Sequence, residues 1–285
     1  MIPQFDNKVM TSFSLFLDHR VVSSGRAFYN QSGLFYPTHN KYSSRFTYAL
    51  PHRQLVRDES ISGADTMTGI YINNTLVAPG TSGLLNINHD KGTVTFDQNM
   101  DAHTLSGNYS VKEFNIYQTN SPEETLIYEN KFFKKPRYSQ TLTGLKPNEF
   151  PVPAIFLKKR GGSPEPFSLG GSDMSVIDIR VIVVTDDDFP LDVATSIMKD
   201  THWRRFGLIE PDNLVFNYKG EYNATLGSGY NYTGIVGSER GNGNDGPLIR
   251  SVNESSVLTR GAYSDIKKNL KVSFVDFEVS FVRGH

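Results

Sequence analysis

The chain has 285 residues, of which 38% are hydrophobic and 12% aromatic, enough for one large β-rich domain or two smaller ones. Its 29 basic and 30 acidic side chains give a formal net charge of −1, which excludes the overall basic excess of a general nucleic-acid or membrane-surface binder. The sequence has no cysteine, which excludes disulfide bonds, cysteine-ligated metals and a cysteine nucleophile.

The N-terminal segment predicts one helix and no targeting signal. Val9, Phe13 and Phe16 fall at helical spacing, and Gly25 is placed to form a C-cap, so we predict an amphipathic helix over residues 8–23. No uninterrupted apolar stretch follows a basic start, so we expect no signal peptide. No apolar run approaches the roughly 20 residues of a membrane span. We therefore expect a protein that is made and kept in a cytosol, or assembled there into a particle.

The segment after this helix, residues 26–67, predicts a long loop with short strands at residues 34–36 and 46–48. Loops of this length in ordered proteins are commonly functional or contact partners.

Residues 68–118 predict an antiparallel ribbon of five short strands without a helix. Residues 73–75 separate two strand-like segments, and residues 89–92 separate two more. Asn and Gly tolerate the positive φ that tight hairpin turns require. We expect the ribbon to project from the domain and its two tips to meet other subunits. The residues expected to make these contacts are Asn73, Asn74, His89 and Asp90.

The strongest single strand is predicted at residues 174–185. Alternate residues from Ile177 to Val183 are aliphatic, whereas Asp178 and Arg180 lie on the opposite face, which indicates a central strand of a sheet. Three aspartates, residues 186–188, follow this strand.

A second helix is predicted over residues 190–202. Asp188 is the predicted N-cap, and Pro190 is well tolerated in the first turn. Leu191, Ala194 and neighbouring apolar residues form one stripe along it.

The C-terminal region has two parts. Residues 207–265 are rich in Gly, Asn and Tyr and show little periodicity after Leu226. Residues 268–283 predict one long strand whose apolar residues change parity between Phe274 and Val275. Such a change predicts a β-bulge or a twist between two sheets.

Together these elements predict an α+β, β-rich fold with mostly antiparallel sheets or a sandwich, an N-terminal helix and one helix after a central strand. We predict a single domain over residues 1–285 with a projecting hairpin region at 68–118. A candidate sub-boundary lies near residues 158–172, where residues 163–166 are expected to break the chain.

Patterns of reactive side chains favour no enzyme. Asp186 to Asp188 could hold Mg²⁺ or Ca²⁺, but no calcium-binding loop pattern follows them, which favours capping of the next helix. The seven histidines show no metal-ligand spacing, and no nucleophile elbow is present. The glycine pairs at 161–162 and 170–171 lack the lysine of a phosphate-binding loop. We therefore predict no catalytic residue, no cofactor and no bound metal.

Two other features suggest contact with partners. Basic residues at 131–137 and 158–160 could touch a nucleic-acid backbone or an acidic neighbour, although solvated strand ends explain them as well and are favoured. Between residues 220 and 238, tyrosines occur among Gly and Asn and could stack on sugar rings or cover a protein partner, or form an ordinary surface loop. These tyrosines are Tyr222, Tyr230 and Tyr232.

The order of segments along the chain resembles structural proteins of tailed bacteriophages, notably marine contractile-tailed phages. The segments that carry this resemblance are FSLFLDHRVVSSGRAFYN (13–30), GIYINN (69–74), GNYSVKEFNIYQTNSPEETLIYENKF (107–132), PVPAIFL (151–157), EPFSLGG (165–171) and VIDIRVIVVTDDDFPLDVATSIMKDT (176–201). The resemblance implies a ring-forming subunit of the neck, head–tail connector or upper tail, assembled in the host cytoplasm into the virion. It implies contacts with its own copies and other virion proteins, incidental contact with packaged DNA, no membrane and no catalytic residues.

Our expectation is therefore a virion structural protein. One alternative is a carbohydrate- or receptor-binding module of a tail tip or fibre, based on residues 220–238. The last alternative is a divalent-metal-dependent enzyme, based on residues 186–188.

Overall fold

The computed structural model describes residues 5–38, 44–134, 149–166, 173–208, 246–258 and 270–283. These residues form a strand-rich α+β fold with a helix near the N-terminus and another after a central strand, which confirms the predicted fold class. The helices are α1 (Phe5–Ser24) and α2 (Asp188–Lys199), and a π-helical turn occupies Thr125–Glu129. The strands are β1 (Phe28–Leu34), β2 (Tyr36–Pro37), β3 (Phe46–Ala49), β4 (Ile70–Ile72), β5 (Thr75–Val77), β6 (Leu84–Asn88), β7 (Thr93–Phe96), β8 (Leu105–Lys112), β9 (Asn115–Gln118), β10 (Lys131–Lys134), β11 (Glu149–Val152), β12 (Ala154–Pro166), β13 (Asp173–Thr185), β14 (Leu248–Leu258) and β15 (Lys271–Arg283).

The first eight strands form a β-sandwich. Sheet A has the strand order β1-β8-β4-β5, sheet B has the order β2-β3-β7-β6, and all pairs in both sheets are antiparallel. Alternate side chains of both sheets point inward and share one apolar core. Members of this core include Ile70, Val77, Leu105 and Tyr109 from sheet A and Tyr48, Ile87, Val94 and Phe96 from sheet B.

The prediction that residues 68–118 project from the domain is therefore wrong. The region holds the six strands β4 to β9, of which the first five build the sandwich. Many of its apolar side chains, such as Ile70 and Val94, are fully buried in the core between the two sheets. The two predicted hairpins do exist, as the pairs β4–β5 and β6–β7.

Sheet C has the strand order β14-β15-β13-β12-β9, so the prediction that β13 is central is confirmed. One face is covered by α1 and α2, and the ring of Phe13 from α1 lies 5.0 Å from the ring of Phe277 in β15, centroid to centroid. The other face is covered over only part of its length, by the π-helical turn and by the parallel pair β10–β11.

The expected break at residues 163–166 is wrong. These residues lie in β12, which pairs with β13 as far as Pro166 opposite Asp173, with one register shift between Lys159 and Gly161. The remaining part of the predicted sub-boundary, residues 167–172, lies outside the described residues.

The predicted bulge or twist in the last strand is also wrong. β15 pairs with β13 over 13 residues without a register shift. Val272 and Phe274 pack under β10 and β11, whereas Val275 and Phe277 pack under the helices. The apolar parity changes because the two faces of sheet C are covered over different stretches of the strand.

Helix α1 confirms the predicted helix but is not amphipathic, because it is buried on most sides between sheet C and the sandwich. Its C-terminal turn is a Schellman motif in which the Ala27 amide donates to the Val22 carbonyl at 3.1 Å. Gly25 occupies the C-cap as predicted, while Arg26 adopts the left-handed conformation with φ +46°.

Helix α2 begins slightly earlier than predicted. The N-cap is Asp187 rather than Asp188, and its carboxylate accepts a hydrogen bond from the Asp188 amide at 2.7 Å. The helix ends at Lys199. Leu191 and Ala194 form part of its buried stripe, as the sequence predicts.

Candidate interaction surface

The outer face of sheet A carries an aligned row of side chains from all four strands. Leu34 of β1 lies opposite Ser106 of β8, Ser106 lies opposite Tyr71 of β4, and Tyr71 lies opposite Leu76 of β5. Leu34 is 48% exposed and Leu76 is 59% exposed. The row therefore places one exposed leucine at each edge of the sheet.

The first of these edges, β1, is open and unprotected. Its sequence, FYNQSGL, contains no charged residue and no proline, and its register with β8 is continuous. The Phe35 amide donates to the Leu105 carbonyl at 2.9 Å. In an antiparallel pair only every second residue forms hydrogen bonds with the neighbouring strand. The amides and carbonyls of Leu34, Ser32 and Asn30 therefore point away from β8. Among the described residues, none forms a hydrogen bond with these backbone groups.

The second edge, β5, has the same character over a shorter length. The Asn73 amide donates to the Thr104 carbonyl at 3.0 Å, so the backbone groups of Tyr71 and Asn73 face β8. Those of Ile70 and Ile72 face β5 and form its hydrogen bonds. Leu76, opposite Tyr71, therefore points its amide and carbonyl away from the sheet. Backbone groups aimed outward from an uncharged edge can pair with another strand.

The turn next to this edge is the first predicted tip. Asn73 and Asn74 both have positive φ, +48° and +68°, as a type I′ turn requires, and both are exposed. The Asn73 side chain accepts a hydrogen bond from the Thr104 amide at 3.0 Å, which fixes the turn. Contact of this tip with another subunit stays a prediction.

The second predicted tip does not project. His89 is only 4% exposed, and its Nε2 donates to the Met67 carbonyl at 2.9 Å. Burial lowers the pKa of His89 to about 4, so the ring is neutral at pH 7. The amides of Gln54 and Leu55 donate to the carbonyls of Asp90 and His89 and hold the turn against this chain's own sandwich. The expectation for His89 is thus wrong.

A buried ionic junction, which our sequence analysis missed, joins α1 to the sandwich. Lys112 of β8 donates to both carboxylate oxygens of Asp18 at 2.8 and 2.9 Å, and both side chains are buried. Nearby, His19 contacts the buried Asp58 at 2.6 Å. Burial opposes ionisation of Asp58, but hydrogen bonds from His19 and Ser60 outweigh it, and together they hold the pKa of that carboxyl below its usual value.

The uncovered part of sheet C carries paired charges around a concavity of about 360 Å³. Arg180 binds Asp276 through two hydrogen bonds of 2.7 Å and Glu123 through two of 3.0 and 3.1 Å. These hydrogen bonds outweigh burial and raise the pKa of the Arg180 guanidinium. Arg250 similarly lies 3.1 Å from Glu278.

In the predicted basic patch at residues 158–160, two of the three basic side chains have acidic neighbours. Lys159 forms an ion pair with Asp6, and Arg160 lies 3.7 Å from Asp276. Residues 135–137 lie outside the described residues.

The aspartates of residues 186–188 have structural partners. Asp187 caps α2, and Asp188 forms an ion pair with Lys271. Over the described parts of the chain, no group of three or more histidine or carboxylate side chains is arranged to hold a metal ion. Another set of predicted residues lies outside the described ranges: Tyr222, Tyr230 and Tyr232.

No protein-family model matches the chain, and no curated protein matches it significantly. No helix in the described ranges is long and apolar enough to cross a bilayer. The surface formed by sheet A and its two open edges is thus characterised by its geometry alone.

Proposed function

We propose that this protein is a structural subunit that assembles with copies of itself and with neighbouring proteins in a virion. The observation that carries the proposal is sheet A, which ends on both sides in an uncharged open edge. An exposed leucine, Leu34 or Leu76, marks each of these edges.

Three other sheet edges carry features that discourage pairing. β2 contains Pro37, β6 has a register shift between Leu84 and Asn86, and β14 carries two register shifts and charged residues such as Arg250. Such devices protect edges from unwanted pairing in monomeric proteins. β1 carries none of these features, and β5 is short but uncharged and without a register shift, which favours a surface that is covered by another chain.

The setting of this assembly rests on the resemblance of the segment order to structural proteins of tailed bacteriophages. In this setting the protein forms a closed ring at the neck, head–tail connector or upper tail. It is assembled in the host cytoplasm and touches packaged DNA only incidentally.

The proposal is tested by the mass of the purified protein and two charged variants. We expect sedimentation velocity and native mass spectrometry to find an oligomer for the wild type and a monomer for Leu76→Lys, because a lysine at this position resists edge pairing. The control Trp203→Lys changes a side chain that is 64% exposed elsewhere, and it should assemble like the wild type.

A wild type that stays monomeric at every concentration and never enters particles would contradict the proposed function. If Leu76→Lys assembled as fully as Trp203→Lys, sheet A would not be the contact surface.

A further inference from the structure

We infer that copies of this chain join head to tail by continuing sheet A, with β1 of one copy pairing antiparallel to β5 of the next. The inference rests on the proposed self-assembly and names the surfaces that perform it. Three properties of the two edges support it: strand direction, the facing of the side chains, and the position of the exposed leucines.

The strand directions fit without rearrangement. β1 and β4 each run antiparallel to β8, so they run parallel to each other, and β5 runs opposite to both. A second copy in the same orientation therefore places its β5 antiparallel to β1. Neighbouring strands of the combined sheet therefore remain antiparallel across the junction between the two copies.

The facing of side chains and backbone also matches. In an antiparallel pair, directly opposed residues have side chains on the same face. Leu34 and Leu76 both have side chains on the outer face and backbone groups directed out of the sheet. Leu34 can therefore form a hydrogen-bonded pair with Leu76 of the next copy.

This register covers the exposed apolar side chains at both edges. Leu34 and Leu76, each about half exposed in one chain, would pack on one another. The two edges bring no like charges together, because neither strand carries a charge.

A twofold dimer, in which one edge strand pairs with the same strand of a second copy, would cover only one of the two exposed leucines. Pairing β1 with its own copy leaves Leu76 exposed, and pairing β5 with its own copy leaves Leu34 exposed. Head-to-tail pairing uses both edges in every copy. Such a heterologous contact repeats until it closes into a ring, or extends as a filament if the rotation does not close.

The test is cysteine cross-linking, which is clean because the chain has no cysteine. The variants are Leu34→Cys, Leu76→Cys, the double variant and a control double variant with Leu34→Cys and Trp203→Cys. Each is treated with an oxidant or a short bis-maleimide and separated under denaturing conditions. The two positions in one chain are three strand spacings apart, about 14 Å, so a disulfide cannot close within one copy.

Head-to-tail pairing predicts a ladder of covalent multimers for the double variant, while each single variant remains uncross-linked. A one-to-one mixture of the single variants should stop at covalent dimers, and the control double variant should give no ladder. Efficient dimers from Leu34→Cys alone or Leu76→Cys alone would overturn the inference in favour of a twofold contact. No cross-link in a protein that is still oligomeric by mass would overturn the inference but leave the proposed function standing. A wild-type monomer would contradict both.

Discussion

Asp18 and Lys112 show at the scale of single residues how the helix and the sandwich are held in one arrangement. A buried charge is costly unless it is paired and hydrogen-bonded, and each of these groups supplies the other's partner. The sequence contains a hint, because Asp18 follows the apolar run FSLFL. It contains no hint of the partner, since Lys112 lies 94 positions away along the chain.

We predict that Lys112→Met lowers the free energy of unfolding by about 3 kcal/mol, because it removes both hydrogen bonds to the buried Asp18 carboxylate and leaves only the Arg57 guanidinium, at 3.8 Å, to compensate its charge. The double variant Asp18→Leu/Lys112→Met should recover much of this loss. Urea denaturation measures both. The control Lys91→Met, at an exposed position, should change stability by less than about 0.5 kcal/mol. A loss from Lys112→Met no larger than that of the control would contradict the role of the pair.

A second prediction concerns His89 and pH. Its folded pKa of about 4 lies below the ordinary value of about 6.5, so as pH falls the unfolded chain takes up a proton before the folded protein does. The stability that His89 contributes is thus complete at pH 7 and is lost as pH falls from about 6.5 to about 4. We expect His89→Gln to remove about 2 kcal/mol of the stability loss between pH 7 and pH 5.

Denaturant titrations of the wild type and His89→Gln at both pH values measure this difference. The control is His103→Gln, which changes an exposed histidine of the same sandwich and should keep the pH dependence of the wild type. Equal pH dependence in His89→Gln and the wild type would show that the ring is not held neutral by burial.

At the scale of elements, local sequence patterns predicted which helices and strands exist better than they predicted what each one packs against. The periodicity around Phe13 and the aliphatic alternation from Ile177 to Val183 correctly indicated α1 and β13. The parity change at Phe274 was misread, because the sequence does not show which face of a strand is covered at each point. The open edge β1 was missed because FYNQSGL lacks alternation.

The C-terminal turn of α1 gives a prediction at this scale. Arg26 is exposed and holds φ +46°, a conformation that is costly for a residue with a Cβ atom. We expect Arg26→Gly to raise the free energy of unfolding by about 1 kcal/mol. Arg26→Ala is the matched control and should give no such gain, because alanine retains the Cβ atom. Thermal unfolding distinguishes the two, and equal stability of both variants would contradict the argument.

At the scale of the whole molecule, the sandwich of residues 28–112 is inserted between α1 and the strands of sheet C, which α1 covers. This arrangement could not be predicted from sequence patterns, because it depends on contacts between segments that are distant along the chain. The hairpin signal at residues 89–92 was correct, yet His89 in this turn is buried, since a turn pattern does not show what packs on it. The part of the candidate surface that could be predicted was the exposed turn at Asn73 and Asn74.

The central claim concerns assembly: sheet A, through Leu34 and Leu76, joins copies into a ring. Electron microscopy of the purified protein, with class averaging of single particles, tests it most directly. The account predicts closed rings with rotational symmetry higher than twofold, and their loss in Leu76→Lys but not in Trp203→Lys. Particles of single-chain size at every concentration, or twofold dimers that grow no further, would contradict it.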